Sequence, residues 1–287
     1  MRIVLLGADG QLGRDLSKTL GTHQVTCFTR EDFDVVDHAR ARAVVLDRHP
    51  EAILNTTAYH RVDDCESKPD LAYAINVLAV LNLARIANEG AARLVHFSTD
   101  YVFDGTTNEP YTESSSPMPL SVYGNSKLAG EYIVRSTAKN HLLIRTCGLY
   151  GVAGSRGKGG NFVQTMLSKA ASGEHIRVVS DQVLTPTYTM SLARQTALLV
   201  ERGESGLFHC TDEGQCSWYE FACAVFESAG VNADLSPTTS EHYKTPAIRP
   251  RYSVLDNLRL KRLGLNHMLH WRDSLAEYLW EKKSLGG

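Results

Sequence analysis

The chain has 287 residues, 43% apolar and 22% charged, with a formal charge of −2. That size supports one large α/β domain or a domain with a smaller appendage. The near-neutral charge argues against bulk attraction to nucleic acid or an anionic membrane, and no apolar run reaches the roughly 18 residues of a membrane span.

The N-terminus shows no basic-then-apolar leader, so a cytoplasmic location is expected. Cysteines 27, 65, 147, 210, 216 and 223 form no C-x-x-C pair, and the histidines form no H-E-x-x-H motif. Buried, reduced thiols and no transition-metal site are the expectation.

In chain order, residues 2–6 read as a strand and 11–20 as a helix with Leu12, Leu16 and Leu20 on one face. Strands follow at 25–28, 52–55, 94–97 and 142–145, with helices at 38–48, 70–89 and 123–138 between them. This alternation, with near-continuous apolar strands, predicts an α/β fold. The expected form is a Rossmann-type doubly wound parallel sheet with a small C-terminal substrate-binding lobe. After Arg145 the pattern loosens. The glycine-rich stretch 151–160 reads as a mobile loop. Helices are predicted at 161–172, 217–229, 256–263 and 272–282, around a proline-containing, aperiodic segment at 234–252. Residues 1–150 therefore read as a dinucleotide-binding domain to which later segments return, and 151–287 as mainly the lobe.

The first strand runs into Gly7-Ala8-Asp9-Gly10-Gln11-Leu12-Gly13. Glycines there permit a tight turn and close approach to a pyrophosphate, and the next helix offers free N–H groups. The second strand ends at Thr29-Arg30, where an acidic residue would bind ribose hydroxyls. A cation suits a 2′-phosphate, so NADPH is expected ahead of NADH. Asp37 is a candidate for the adenine amine or, equally, a cap for the helix at 38.

Tyr123 and Lys127 lie one helical turn apart on one face. An ammonium beside a phenol lowers its pKa from near 10 toward a useful range. The fourth strand ends Ser98-Thr99-Asp100-Tyr101-Val102-Phe103, placing hydroxyls at the carboxyl edge of a parallel sheet, where such sheets bind ligands. Together these features suggest hydride transfer to a carbonyl.

With Gly7 to Gly13, Ser98 to Phe103 and Tyr123-Gly-Asn-Ser-Lys-Leu-Ala-Gly-Glu131 in hand, the chain resembles the extended short-chain dehydrogenase/reductases, most closely the dTDP-4-dehydrorhamnose reductases. Asn55 to Ala58, Val62-Asp63, Asn76, Pro119 to Glu131, Gly160-Asn161-Phe162, Asp181-Gln182, Thr185-Pro186-Thr187 and Arg249-Pro250 extend the resemblance nearly end to end. It implies Thr99, Tyr123 and Lys127 as the catalytic triad. It implies Gly7, Gly10, Gln11 and Leu12 around the pyrophosphate, with Ala58 and Tyr59 lining the cofactor. Asp100, Tyr101 and Val102 would line the sugar site, and Asn161, Gln182 and Arg249 would face a nucleotide-sugar. Reduction of dTDP-4-dehydro-L-rhamnose is the implied activity.

Three departures stand out. Cys147-Gly148 replaces the family's Ser-Trp, so an opened sugar pocket is expected. His60-Arg61 replaces small residues. Val183-Leu184 replaces a glycine-containing pair. A reductase or epimerase of another nucleotide-sugar is therefore an alternative. So is a cofactor-binding regulatory subunit resembling the β subunit of methionine adenosyltransferase. The apolar residues of 70–89 serve either a homodimer contact or burial within one chain.

Overall fold

Six β-rich runs form one parallel sheet in a computed structural model that describes residues 1–155 and 159–286. The mobile-loop reading of 151–160 falls partly on Arg156, Gly157 and Lys158, which lie outside the described residues.

The chain begins β1 (Arg2–Leu6), α1 (Gln11–Thr19), β2 (Gln24–Phe28), α2 (His38–Leu46), β3 (Ala52–Asn55), α3 (Val62–Ser67) and α4 (Pro69–Tyr73). A π-helical turn (Ala74–Leu78) leads into α5 (Ala79–Glu89), β4 (Arg93–Thr99), a 3-10 turn (Asp100–Val102), α6 (Val122–Thr137), β5 (His141–Thr146) and β6 (Leu149–Tyr150). Then come α7 (Phe162–Ala171), β7 (Ile176–Val179), β8 (Val183–Leu184), β9 (Thr187–Tyr188), α8 (Thr189–Glu201) and β10 (Gly206–His209). Last are β11 (Cys216–Ser217), α9 (Trp218–Ala229), β12 (Leu235–Thr238), α10 (Leu258–Arg262) and α11 (Trp271–Gly286).

The sheet order is β2-β1-β3-β4-β5-β10, parallel throughout. Strand order reverses beside β1, the switch point at whose carboxyl side open α/β sheets bind ligands. Both sheet faces are covered. Leu12 and Leu16 of α1 and Leu192 and Leu199 of α8 pack with Ile3, Leu5 and Leu54 on one face. Ala41 and Val45 of α2, Val80 and Leu83 of α5, and Val134 of α6 pack with Val4, Leu6 and Ile53 on the other. Each such aliphatic side chain, fully buried, contributes roughly 1.5–3 kcal/mol. A third cluster joins Tyr150, Tyr188, Phe221, Trp271 and Tyr278, tying α9 and α11 to β6 and β9.

The structure differs from the sequence reading at four places. The predicted helix 70–89 is interrupted by the π-helical turn, which buries Asn76. The run Pro69–Glu89 also has a mean hydropathy of 1.4, enough by composition for a membrane span, which the sequence reading did not find. Its apolar side chains Val80, Leu83 and Ile86 instead pack on the sheet. The unpredicted α8 is buried nearly all round, with polar Ser191, Gln195 and Thr196 among its buried residues. Finally, Cys27 and Cys223 are exposed rather than buried, while all six cysteines are free thiols.

Candidate active site

The glycine turn sits where β1 meets α1. Gly7 has φ +77°, and a side chain there would meet the Thr56 hydroxyl at 2.7 Å. A Cβ on Gly13 would stand 2.2 Å from the Gly7 carbonyl oxygen, so α1 approaches the turn only because Gly13 has none. The Gly7 and Ala8 N–H groups donate to Phe28 O at 2.9 and 3.1 Å, fixing the turn to β2. Gln11 opens α1, Leu12 packs inward, and the buried Gln11 Oε1 has no partner among the described residues. The glycine turn and the free N–H groups of a helix N-terminus fit a dinucleotide pyrophosphate.

At the end of β2, the Arg30 side chain is 80% exposed and pairs with Asp34 at 2.9 Å. Its guanidinium is accessible to a phosphate but has a competing carboxylate. Asp37 caps α2, accepting from Arg40 N–H at 3.0 Å. The structure thus displays the capping alternative for Asp37.

Beyond β3, Ala58 and Tyr59 are half-buried. Asn76 holds this loop through its main chain: Tyr59 N–H donates to Asn76 Oδ1 at 2.9 Å, and Asn76 Nδ2 donates to Tyr59 O at 3.1 Å. Asn76 Nδ2 also donates to Ser126 Oγ of α6 at 2.9 Å. The π-helical turn therefore connects the cofactor-side loop to the helix bearing Tyr123 and Lys127.

Ser121 caps α6, accepting from Gly124 N–H at 3.1 Å. Tyr123 is half-buried, and its ring meets Tyr101 edge-on at 6.0 Å between centroids. Burial pushes its phenol pKa upward, and hydrogen bonding with Thr99 acts against that. No hydrogen bond joins Lys127 to the phenol among the described residues. Lys127 instead lies buried, donating to Phe97 O at 2.7 Å. Burial lowers its pKa to about 8, with Glu131 acting in the opposite direction.

Thr99 ends β4 and donates its one hydroxyl hydrogen to Asp100 Oδ1 at 2.9 Å. It accepts from Tyr101 N–H at 3.2 Å. Asp100 is buried and also receives the Cys147 thiol at 3.0 Å; burial raises its carboxyl pKa. Val102 is wholly buried in an apolar cluster with Phe103, Tyr111 and Tyr252, so its side chain lines no sugar site. Beneath the site, Glu131 and Arg145 form a buried bidentate pair at 2.8 and 2.7 Å, with Arg145 over the Phe103 ring.

The later residues carry other partners. Asn161 caps α7 and donates to Gly151 O at 2.7 Å. Gln182 Nε2 donates to Ser240 Oγ at 2.8 Å. Arg249 makes a bidentate pair with Asp63 at 3.1 and 2.7 Å and also contacts Thr245. The expectation that Gly148 opens a pocket needs correction. Gly148 has φ +55°, and a Cβ there would stand 2.9 Å from Leu184 Cδ1 and 3.2 Å from Pro186 Cα. Leu184 fills the space on that side, so the two departures from the family pattern are complementary. Sequence reasoning missed His96, fully buried between Asn55 and Lys127, because its role depends on a contact across strands.

This arrangement can hold a dinucleotide beside a phenol, a hydroxyl and a buried amine, a set suited to proton transfer at a carbonyl. The RmlD substrate binding domain family matches residues 1–284. The spore coat polysaccharide biosynthesis protein SpsK of Bacillus subtilis is 38% identical over 99% of this chain and 98% of its own length. A dTDP-4-keto-6-deoxy-D-glucose reductase of Streptomyces niveus is 38% identical over 96% of each chain. A dTDP-4-dehydrorhamnose reductase structure from Clostridium acetobutylicum superposes with a TM-score of 0.94 at 38% identity, covering 100% of both chains. One from Bacillus anthracis, in complex with NADP, gives 0.93 at 34% identity, covering 98% of this chain and 99% of that one. The chain belongs to the RmlD substrate binding domain family, among the extended short-chain dehydrogenase/reductases that resemble dTDP-4-dehydrorhamnose reductase.

Proposed function

We propose that this chain is an NADPH-dependent reductase of the 4-keto group of a dTDP-linked 6-deoxy sugar, converting dTDP-4-dehydro-L-rhamnose to dTDP-L-rhamnose. One observation carries the reading: Thr99, Tyr123 and Lys127 gather at the carboxyl edge of the sheet whose first strand runs into the glycine turn. The names of the reductase relatives and the NADP in the Bacillus anthracis structure support it.

Gly7, Gly10, Gln11 and Leu12 hold the pyrophosphate, Arg30 meets the 2′-phosphate, and Ala58 and Tyr59 line the cofactor. Reduced nicotinamide, when bound, supplies a hydride. Tyr123 gives its proton to the carbonyl oxygen as negative charge develops there. Its raised pKa keeps the phenol protonated at neutral pH, the form a reduction needs. Thr99 orients the carbonyl and must release Asp100 to donate to it. Lys127 holds the nicotinamide ribose and acts on the phenol. Asp100 and Tyr101 line the sugar side, with Asn161, Gln182 and Arg249 toward the nucleotide. A guanidinium fork suits a diphosphate, and Arg249 engages it by giving up Asp63. Residues 1–150, with α8 and β10, form the dinucleotide-binding part, and the remainder mainly binds the sugar. A cytoplasmic location belongs to the same proposal, checked by cell fractionation.

The test is NADPH oxidation with dTDP-4-dehydro-L-rhamnose, followed by identification of the sugar product. Stoichiometric formation of dTDP-L-rhamnose supports the reading. No oxidation by a chain that binds NADPH would exclude this substrate. A second reading rests on Gly148 and Leu184: an aliphatic wall in place of an indole favours a differently substituted ketosugar. Faster turnover of another dTDP-4-keto sugar would select it.

A further inference from the structure

His96 precedes the Phe97 carbonyl that receives Lys127, and it is fully buried. Its two ring nitrogens each face one side chain. Nδ1 is 3.2 Å from Asn55 Nδ2, and Nε2 is 3.5 Å from Lys127 Nζ. One backbone group fixes where the hydrogens lie. The Thr57 N–H can only donate, and it meets Asn55 Oδ1 at 3.1 Å. The Thr57 hydroxyl donates to the same oxygen at 2.6 Å. The other branch of the amide is therefore the NH2, and it faces His96 Nδ1. A nitrogen facing a donor must accept, so Nδ1 carries no hydrogen. A neutral imidazole then carries its one hydrogen on Nε2. Burial and the neighbouring Lys127 charge both keep His96 neutral.

The His96 Nε2–H is thus aimed at Lys127 Nζ. An ammonium has no lone pair to receive it and feels the positive end of the N–H dipole. A neutral amine accepts it while still donating to Phe97 O. The other titratable groups nearby do not duplicate this effect. Tyr123 and Glu131 share α6 with Lys127; Glu131 favours the charged amine and is itself held by Arg145 of β5. Asp100 of the 3-10 turn and Cys65 of α3 act on Tyr123. Asn76 and Ser126, which join the π-helical turn to α6, are uncharged.

We propose that His96 is a positioning residue for Lys127: held as the Nε2–H tautomer by Asn55 and Thr57, it makes the Lys127 ammonium readier to release its proton. This rests on the reductase reading. In that step an N–H bond of the ammonium breaks and the proton passes to solvent. The amine left behind accepts the His96 Nε2–H and later regains its proton from water. Lys127, with its pKa lowered to about 8, is consistent with this role.

The test uses the full chain without substrate. Nitrogen-15 spectra of the histidine rings, assigned by loss of the His96 signals in His96→Leu, report the tautomer. Carbon-13 labelling of lysine reports the Lys127 titration. The expected result is Nε2–H for His96 in the wild type. Asn55→Asp places an acceptor opposite Nδ1, turns the ring to Nδ1–H and raises the Lys127 titration by at least about one pH unit. His96→Leu also raises it, and the alkaline limb of kcat/KM moves with it. An Nδ1–H tautomer in the wild type overturns the proposal, as does a Lys127 titration unmoved in both variants. The wild-type spectrum decides even where a variant does not fold. Absence of ketosugar reduction alone would count against the reductase reading and leave the spectroscopic result to judge His96.

Discussion

The proposed acid–base groups and the proposed sugar-facing groups are held in contrasting ways. Thr99, Tyr123 and Lys127 belong to a buried network that runs through Asp100, Phe97 and His96, while Asn76 ties their helix to the cofactor-side loop. Asn161, Gln182 and Arg249 spend their side chains on a helix cap, on Ser240 and on Asp63. Tyr123 and Lys127 of the first set are in place before any ligand arrives, which costs little reorganisation at the moment of reaction, and only Thr99 must exchange its Asp100 partner. The second must exchange partners to bind, so its contribution is to affinity and closure.

Substitutions that touch the first set should therefore lower kcat. Tyr123→Phe removes the proton donor and should cut kcat by roughly 10²–10⁴-fold with NADPH affinity retained, as read by steady-state kinetics and cofactor titration. A smaller loss would mean that another group supplies the proton. Beneath the network, Glu131→Gln leaves the Arg145 charge buried without its carboxylate. It should destabilise the fold by about 3–5 kcal/mol, measured by denaturant unfolding. An unchanged midpoint would show that this pair does not support the site.

For the second set, the comparison predicts opposite signs across one ion pair. Arg249→Lys loses the bidentate fork and should raise the KM of the nucleotide-sugar about tenfold. Asp63→Asn frees Arg249 and should lower it, with kcat little changed in both. Equal rises in KM would mean that the pair orders the site rather than competing with substrate. The smallest effect is expected at Arg30, exposed and already paired with Asp34. Arg30→Ala should reduce the NADPH over NADH preference by a few fold, and an unchanged preference removes Arg30 from the cofactor site.

Much of this contrast is legible in the sequence. The glycine turn is recognisable because only closely spaced glycines allow α1 to meet β1, and Tyr123 and Lys127 because helical spacing puts them on one face. Other features depend on contacts between distant segments. α8 buries polar Ser191, Gln195 and Thr196 beside its apolar residues, which blurs its signature, and the extra residue of the π-helical turn has no local signature. Gly148 alone suggests an opened pocket; only the packed structure shows Leu184 beside it. The sequence offers Arg249 as a phosphate ligand but gives no sign that Asp63, far away in sequence, holds its guanidinium. His96 reads as an ordinary strand residue until Asn55 and Lys127 are seen on its two nitrogens.

The most direct test follows the hydride itself. NADPH deuterated at the transferable C4 position would be turned over with dTDP-4-dehydro-L-rhamnose and the sugar product examined by NMR. The account predicts one deuterium at C4 of the sugar, matched by oxidised cofactor. Deuterium left entirely on the cofactor, with an altered sugar and no net oxidation, would contradict reduction as the chemistry of this site.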